Sequence, residues 1–302
     1  MILVTGGTGF VGRCLVARLV GAGREVRVLA RREVRVLARR EVRVLARREA
    51  ELPGVEFVPG DIGDPSAVLS AVRGCEAVVH LVGAIRERRG ASFRGVHVRG
   101  TKTVVRACQE AGVQRLLHMS ALGARFRARS RYHRTKWRAE EVVRASGLAA
   151  TVFRPSVIFG AGNSFLPQVR AVARRTPLIP IIGDGMRLFQ PVWVEDVVSC
   201  FVGALDDPST AGRAYELGGP ESYGFEQLVD LVAEAEEIRT PKVHLPVWLM
   251  RPVVGVMGRA FSSFPVTSDQ LTMLLEDNVC NIDEMRATFG VEPVSIRDHL
   301  AD

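Results

Sequence analysis

The sequence predicts an α/β fold, a doubly wound parallel sheet with a smaller C-terminal lobe. Three observations predict it. An apolar run, Met1–Thr5, passes directly into the glycine-rich turn Gly6–Gly12 and then into a helix-periodic segment. Short apolar strands and helix-length segments alternate through the first half, which builds parallel strands joined by crossover helices. The composition, 47% hydrophobic and 25% charged over 302 residues, is that of a soluble globular chain.

The elements follow in order. After the turn GGTGFVG, the segment RCLVARLV carries Val11, Leu15, Val16, Leu19 and Val20 at helical spacing and closes on Gly21 and Gly23. Gly6 suits a tight turn, Gly9 a close approach of backbone to a pyrophosphate, and Gly12 close packing of helix on strand. The helix N-terminus would face that anion with free N–H groups. Val55–Pro59 reads as a strand, residues 65–73 as a helix, Ala77–Leu81 as a strand, Val96–Ala111 as a helix ended by Gly112, and Arg115–Ser120 as a strand. Beyond them lie a helix and Pro-rich turn within 157–187, a strand running into a helix over Phe189–Ala204, and a short strand at Tyr215–Gly219. A helix over 225–237 and two terminal helices complete the chain. The expected domains are 1–158 with about 187–218, and a smaller lobe from about 159–186 and 219–302.

Twelve residues after Ser120 comes Tyr132-His-Arg-Thr-Lys136. Residues four apart share a helix face, so Tyr132 and Lys136 are expected in one site. An ammonium beside a phenol, whose ordinary pKa is about 10, favours the phenolate. Tyrosine could then exchange a proton with an alcohol or carbonyl while hydride moves. Ser120 would hold the substrate oxygen, and Lys136 would also reach a nucleotide ribose. The chain has three lysines, Lys102, Lys136 and Lys242, among 41 basic residues. A lysine at 136 is therefore a chemical choice in a chain that otherwise uses arginine.

On these motifs the chain resembles a short-chain dehydrogenase/reductase of the extended type, with a Rossmann-type sheet. TGGTGFVG, GDI, AVVHLVGA, HVRGTKTVVRACQEAG, YHRTK and TVFRPSVIFG stand in that family's order. HLVGAI, HMSALGA, FQPVWVEDVV and LLEDNV are similar to an atypical branch. It holds the dehydrogenase-like accessory subunit of respiratory complex I and its bacterial relatives. The resemblance implies that Gly6, Thr8, Gly9, Phe10, Val11 and Gly12 line the pyrophosphate loop. It also implies Asp61 and Ile62 at the adenine, Leu81, Val82 and Gly83 beside the ribose, and Pro155 and Ser156 near the nicotinamide amide. His97 stands where extended members usually carry Asn, which puts their full proton relay in question. A structural histidine is the favoured reading there, and a substitute relay member the other.

The residue ending the second strand selects the nucleotide: an acid bonds a ribose 2′-OH, whereas arginine accepts a 2′-phosphate. Here EVRVLA ends in Arg31-Arg32 with no acid, so NADP(H) is expected over NAD(H). The octet EVRVLARR is repeated without change at 25–32, 33–40 and 41–48. Units of eight are too short for a stacked repeat architecture. The expectation is that copy 25–32 forms the strand and 33–48 is surplus to the domain.

Net charge is +8, of which each octet supplies +2 through three arginines and one glutamate. No helix-turn-helix, zinc-finger spacing or aromatic-basic interleaving accompanies it, so no nucleic-acid partner is expected. The five cysteines lack metal or disulfide spacing, so no metal is expected, and the reading is a reduced, cytoplasmic protein without a signal segment. The apolar segment 243–264 reads first as packing of the small lobe. It reads second as an apolar pocket or a peripheral contact with the inner face of a membrane. Arg125, Arg127, Arg129, Arg131 and Arg134 would favour an anionic substrate if they overhang the cleft. The substrate is thus a small molecule, apolar or anionic, and the oligomeric state is open. Three functions are compatible: an NADP(H)-dependent oxidoreductase, a nucleotide-binding accessory or assembly protein at the respiratory membrane without turnover, and a nucleotide-sugar epimerase or dehydratase.

Overall fold

The computed structural model describes residues 1–31, 55–88, 90–160, 162, 178–235, 237, 241–260 and 266–300, and of 257–260 the backbone alone. Its main sheet has seven strands. β1 (Ile2–Thr5) lies between β2 (Val26–Ala30) and β4 (Ala77–His80); β3 (Val55–Pro59) lies outside β2. Beyond β4 come β5 (Arg115–Met119), β6 (Ala149–Pro155) and the strand Ala214–Leu217. The pairings from β3 through to β6 are all parallel. β1 and β4 are buried at every position, as parallel strands covered on both faces must be.

The helices that cover them are α1 (Phe10–Gly21), α2 (Pro65–Val72), α3 (Gly100–Ala111) and α4 (Arg131–Arg144). α2 starts where Asp64 accepts N–H bonds from Ser66 and Ala67 with Pro65 in its first turn. α3 ends at Gly112 with φ +74°, the left-handed position that closes many helices. Leu3, Val78, Leu116 and Val152 of the sheet pack with Val68, Val72, Val104, Cys108 and Val143 of α2, α3 and α4. α3 is preceded by a π-helical turn, Arg94–Arg99, where the sequence reads only a helix beginning near Val96.

The chain folds as two compact units. One comprises Met1–Ser120, Thr135–Phe153 and Val198–Tyr215, and the other Ala121–Arg134, Arg154–Val197 and Glu216–Asp302. Residues 121–134, 154–158, 187–197 and 216–218, placed with the nucleotide domain by their order in the sequence, thus pack with the second unit. There, Phe159, Phe189 and Tyr223 form a core with Leu228, Leu231, Val232, Ile296 and Leu300. The terminal helices are Ser268–Leu274 and Asp283–Phe289.

The first octet supplies β2, in register with both β1 and β3. Arg32 and the surplus octets at 33–48 lie outside the described residues, as does the helix expected within 157–187.

Candidate functional site

The glycine loop between β1 and α1 is a cradle that side chains would fill. Gly6 holds φ +80°, and the Gly9 N–H donates to its carbonyl at 2.9 Å. A Cβ at Gly12 would stand 2.2 Å from the Gly6 oxygen and 2.7 Å from Gly7 Cα, so only glycine fits. A Cβ at Gly6 would stand 3.1 Å from the Val82 nitrogen, which places the segment after β4, Leu81 to Gly83, against this loop. α1 begins on Gly9 with no side-chain cap and no acid in its first turn. Its leading N–H groups are free of side-chain competition for an anion. Val11 is buried and anchors the helix, while Thr8 and Phe10 are half-buried at the loop. Loop and helix start therefore fit a dinucleotide pyrophosphate.

Lys136 stands beside this cradle. It is 2% exposed, its ammonium donates to the Met119 carbonyl at 2.8 Å, and a Cβ on Gly83 would lie 3.1 Å from its Nζ. Burial pulls its pKa down to about 8, against the opposing charge of Glu140. The residue before it, Thr135, meets His97 Nδ1 through its hydroxyl at 2.9 Å. His97 Nε2 lies 3.1 Å from both the N–H and the carbonyl of Ala84. His97 thus ties the Gly83–Ala84 segment to the root of Lys136, which is the structural role favoured from its position in the sequence. Burial and the Lys136 charge hold it neutral, with a pKa of about 2. The π-helical turn that carries it widens the helix at a functional place, where such turns concentrate.

Ser120 directly follows β5. It is 3% exposed and its hydroxyl donates to Glu140 Oε1 at 2.5 Å; Arg144 donates to the other carboxylate oxygen at 2.6 Å. Its proton is thereby given to a buried carboxylate. Glu140 was missed in the sequence, although it lies four residues past Lys136 and so shares its helix face.

Tyr132 and Lys136 stand one turn apart on α4. Tyr132 belongs to the second unit, where Asp269 accepts from the backbone N–H groups of Arg131 and Tyr132 at 2.7 and 2.9 Å. Burial pushes its phenol up to about 12, opposite to the lowering that lysine spacing predicts. Desolvation, which penalises the phenolate, dominates here. Pro155 ends β6, also in the second unit, and the Ser156 hydroxyl donates to Asn278 Oδ1 at 2.6 Å.

At the other end of the cradle, Arg31 follows β2 directly and is exposed. Its Nε lies 3.8 Å from Asp61 Oδ2, and Asp61 Oδ1 accepts from the Gly63 N–H at 2.8 Å. Two expected nucleotide residues are therefore brought together at the C-terminal ends of β2 and β3. Ile62 is buried, with its side chain against Gly100. Among the described residues no cluster of three or more His, Cys, Asp or Glu is placed to hold a metal ion.

Residues 2–218 match the model of the NAD dependent epimerase/dehydratase family. The chain is 30% identical over 93% of its length to NADH dehydrogenase [ubiquinone] 1 alpha subcomplex subunit 9, mitochondrial, of Arabidopsis thaliana, covering 70% of that protein. It is 31% identical to a ceramide reductase of Caulobacter vibrioides over 69% of the chain and 62% of that enzyme. Among solved structures, dTDP-glucose 4,6-dehydratase from Streptomyces venezuelae with NAD bound superposes with a TM-score of 0.77 at 22% identity. That superposition covers 100% of this chain and 94% of that one, and it shows the shared fold. The resemblance to the complex I accessory branch is borne out. The chain accordingly belongs to the NAD dependent epimerase/dehydratase family, the extended short-chain dehydrogenase/reductases with a Rossmann-type nucleotide-binding sheet.

Proposed function

We propose that the protein is an NADP(H)-preferring oxidoreductase that reduces a carbonyl on a small, apolar substrate. One observation carries the reading: a buried Lys136 ammonium beside Gly83 of the glycine cradle, one helical turn from Tyr132. Bound in that cradle, a nicotinamide dinucleotide supplies the hydride. The chain's own residues do the rest. Lys136 holds the ribose side and, with His97, keeps the Gly83–Ala84 segment in place. Tyr132, protonated at neutral pH because its pKa lies near 12, is poised as the acid that gives its Oη proton to the carbonyl oxygen. A phenol in that state favours reduction over alcohol oxidation. The preference for NADP(H) is supported by Arg31 at the end of β2, where a 2′-phosphate would take the guanidinium from Asp61. An apolar substrate is supported by the ceramide reductase relative and by the segment 243–264.

A second reading, a nucleotide-binding accessory protein without turnover, is favoured by the Ser120 proton being given to Glu140 and by the complex I relatives. A nucleotide-sugar epimerase or dehydratase would retain NAD through purification, and the solved neighbours of that kind support the fold alone.

Fluorescence titration with NADPH and NADH tests the nucleotide assignment. We expect NADPH to bind at least about tenfold tighter, and Arg31→Ala to abolish most of the difference, roughly 1.4 kcal/mol for each factor of ten. NADH binding as tightly as NADPH would sink it. With a long-chain ketone as substrate, Tyr132→Phe should cut turnover at least about a hundredfold with nucleotide affinity unchanged. Tight nucleotide binding with no turnover by the unaltered protein would favour the accessory reading.

A further inference from the structure

In the second unit, the helix Val247–Ala260 presents an apolar face to solvent. Trp248 is 74% exposed and Val256 66%, with Leu249 and Val253 also exposed. At about 100° per residue these four fall within one arc of roughly 140°, and from 248 to 256 the arc runs about 12 Å along the axis. Val254, on the opposite side, is buried, and the helix packs against Ser268–Leu274. Arg251 is exposed on the flank next to Trp248. Along the sequence the charge is of one sign: from 238 to 268 it holds Arg239, Lys242, Arg251 and Arg259 and no carboxylate. Lys242 is paired with Glu226 and Asp230, so Arg251 is the charge that bears on this face.

We propose that this helix lies in the plane of an anionic lipid bilayer, with Trp248, Leu249, Val253 and Val256 in the acyl boundary and Arg251 among the headgroup phosphates. An exposed aromatic-aliphatic arc flanked by arginine is the composition of an interfacial helix. Among the described residues no helix is long and apolar enough to cross a membrane, so the contact is one of lying on the surface. A second copy of the chain is disfavoured as the occupant, because apposing two such faces brings arginine against arginine without a carboxylate between 238 and 268 to offset them. Negative lipid supplies the missing charge and also takes up the apolar arc. The inference is independent of the proposed reaction, since it needs neither nucleotide nor turnover.

Co-sedimentation of the full chain with vesicles tests it, using phosphatidylcholine alone and phosphatidylcholine mixed with phosphatidylglycerol. The chain is expected to pellet with the mixed vesicles at least about tenfold more tightly than with the neutral ones, with a blue shift of tryptophan emission. Trp248→Ser with Val256→Ser should weaken that binding at least about tenfold, and Arg251→Glu should weaken binding to the mixed vesicles alone. Far-UV circular dichroism and thermal unfolding of the same variants, unchanged from the parent chain, show that they are folded. Three results overturn the proposal: no binding to either vesicle, full binding by the double variant, or a dimer of the parent chain that the double variant abolishes. Loss of reductase activity in the unaltered protein would leave these outcomes as they stand, so the two proposals fail separately.

Discussion

Three histidines, His80, His97 and His118, are buried around Lys136, and all are held neutral. Thr5, His80 and His118 stand in one row across β1, β4 and β5. The His80 Nδ1 meets Thr5 Oγ1 at 2.7 Å, and its Nε2 meets Thr101 Oγ1 at 3.1 Å. Because the Thr101 hydroxyl gives its proton to the His97 carbonyl, it must accept from Nε2, which fixes the His80 tautomer. Burial lowers His80 to about 3, His97 to about 2 and His118 well below its ordinary value. A histidine whose folded pKa is depressed binds its proton only on unfolding, so stability is present above pH 6.5 and lost as pH falls. Each costs about 1 kcal/mol between pH 7 and 5.5, or about 3–4 kcal/mol for the three. Asp196, raised to about 6 by burial, takes up a proton in the folded state and offsets about 1 kcal/mol of that loss. Urea unfolding at the two pH values should therefore differ by about 3 kcal/mol, with the neutral sample more stable. Neither ring nitrogen of His118 has a hydrogen-bond partner among the described residues. His118→Leu should accordingly stabilise the protein by about 1 kcal/mol at pH 7 and remove about a third of the pH dependence. Stability that is flat between these pH values would refute the arrangement.

At the scale of elements, α4 matters most, because it carries Tyr132, Lys136 and Glu140 on one continuous stretch. Its first turn is held by the Asp269 carboxylate, which accepts from the N–H groups of Arg131 and Tyr132 and meets the positive end of the helix dipole. Asp269→Ala should cost about 1–2 kcal/mol in thermal unfolding, and Asp269→Asn, which keeps one acceptor, less. Equal, negligible shifts for both would show that α4 is capped by other means. The strands β3 and β4 and the helix at 65–73 were legible because each is a short apolar run bounded by Gly, Pro or Asp. The spacing of Tyr132 and Lys136 was legible for the same local reason. Asp269 was not, since it reaches α4 across more than a hundred residues of chain. The partner of Ser120 was hidden in a similar way: a serine ending a strand says nothing of which helix carboxylate will take its proton. The π-helical turn at His97 was also hidden, because a one-residue widening leaves the apolar spacing of Val98, Thr101, Val104 and Val105 intact.

At the scale of the whole molecule, the second and third octets are expected to be surplus to the fold. β2 is complete within the first copy, from Val26 to Ala30, and pairs along its length with both neighbours. The next strand begins at Val55, so residues 31–54 make a parallel connection. Removing 33–40 leaves sixteen residues there, within the ordinary range for a crossover. Removing 33–48 leaves eight: 31, 32 and 49–54. Eight residues reach about 26 Å when extended, against a return of about 17 Å along a five-residue strand. The shorter connection therefore spans the gap, though without room for a helix. Shortening the loop also lowers its closure cost, by about 0.4 kcal/mol for the single deletion and about 1 kcal/mol for the double. Both deletions are expected to fold, with Tm within about 5 °C of the parent chain, a shift of about 2 kcal/mol at this size. Both keep Arg31 and Arg32, so the ratio of NADPH to NADH affinity should survive as well. If the single deletion is silent and the double deletion unfolds, the connection needs its crossover length. If NADPH affinity falls while the fold persists, an arginine of a later copy, Arg39, Arg40, Arg47 or Arg48, holds the 2′-phosphate, and assignment of that role to the pair after β2 is wrong.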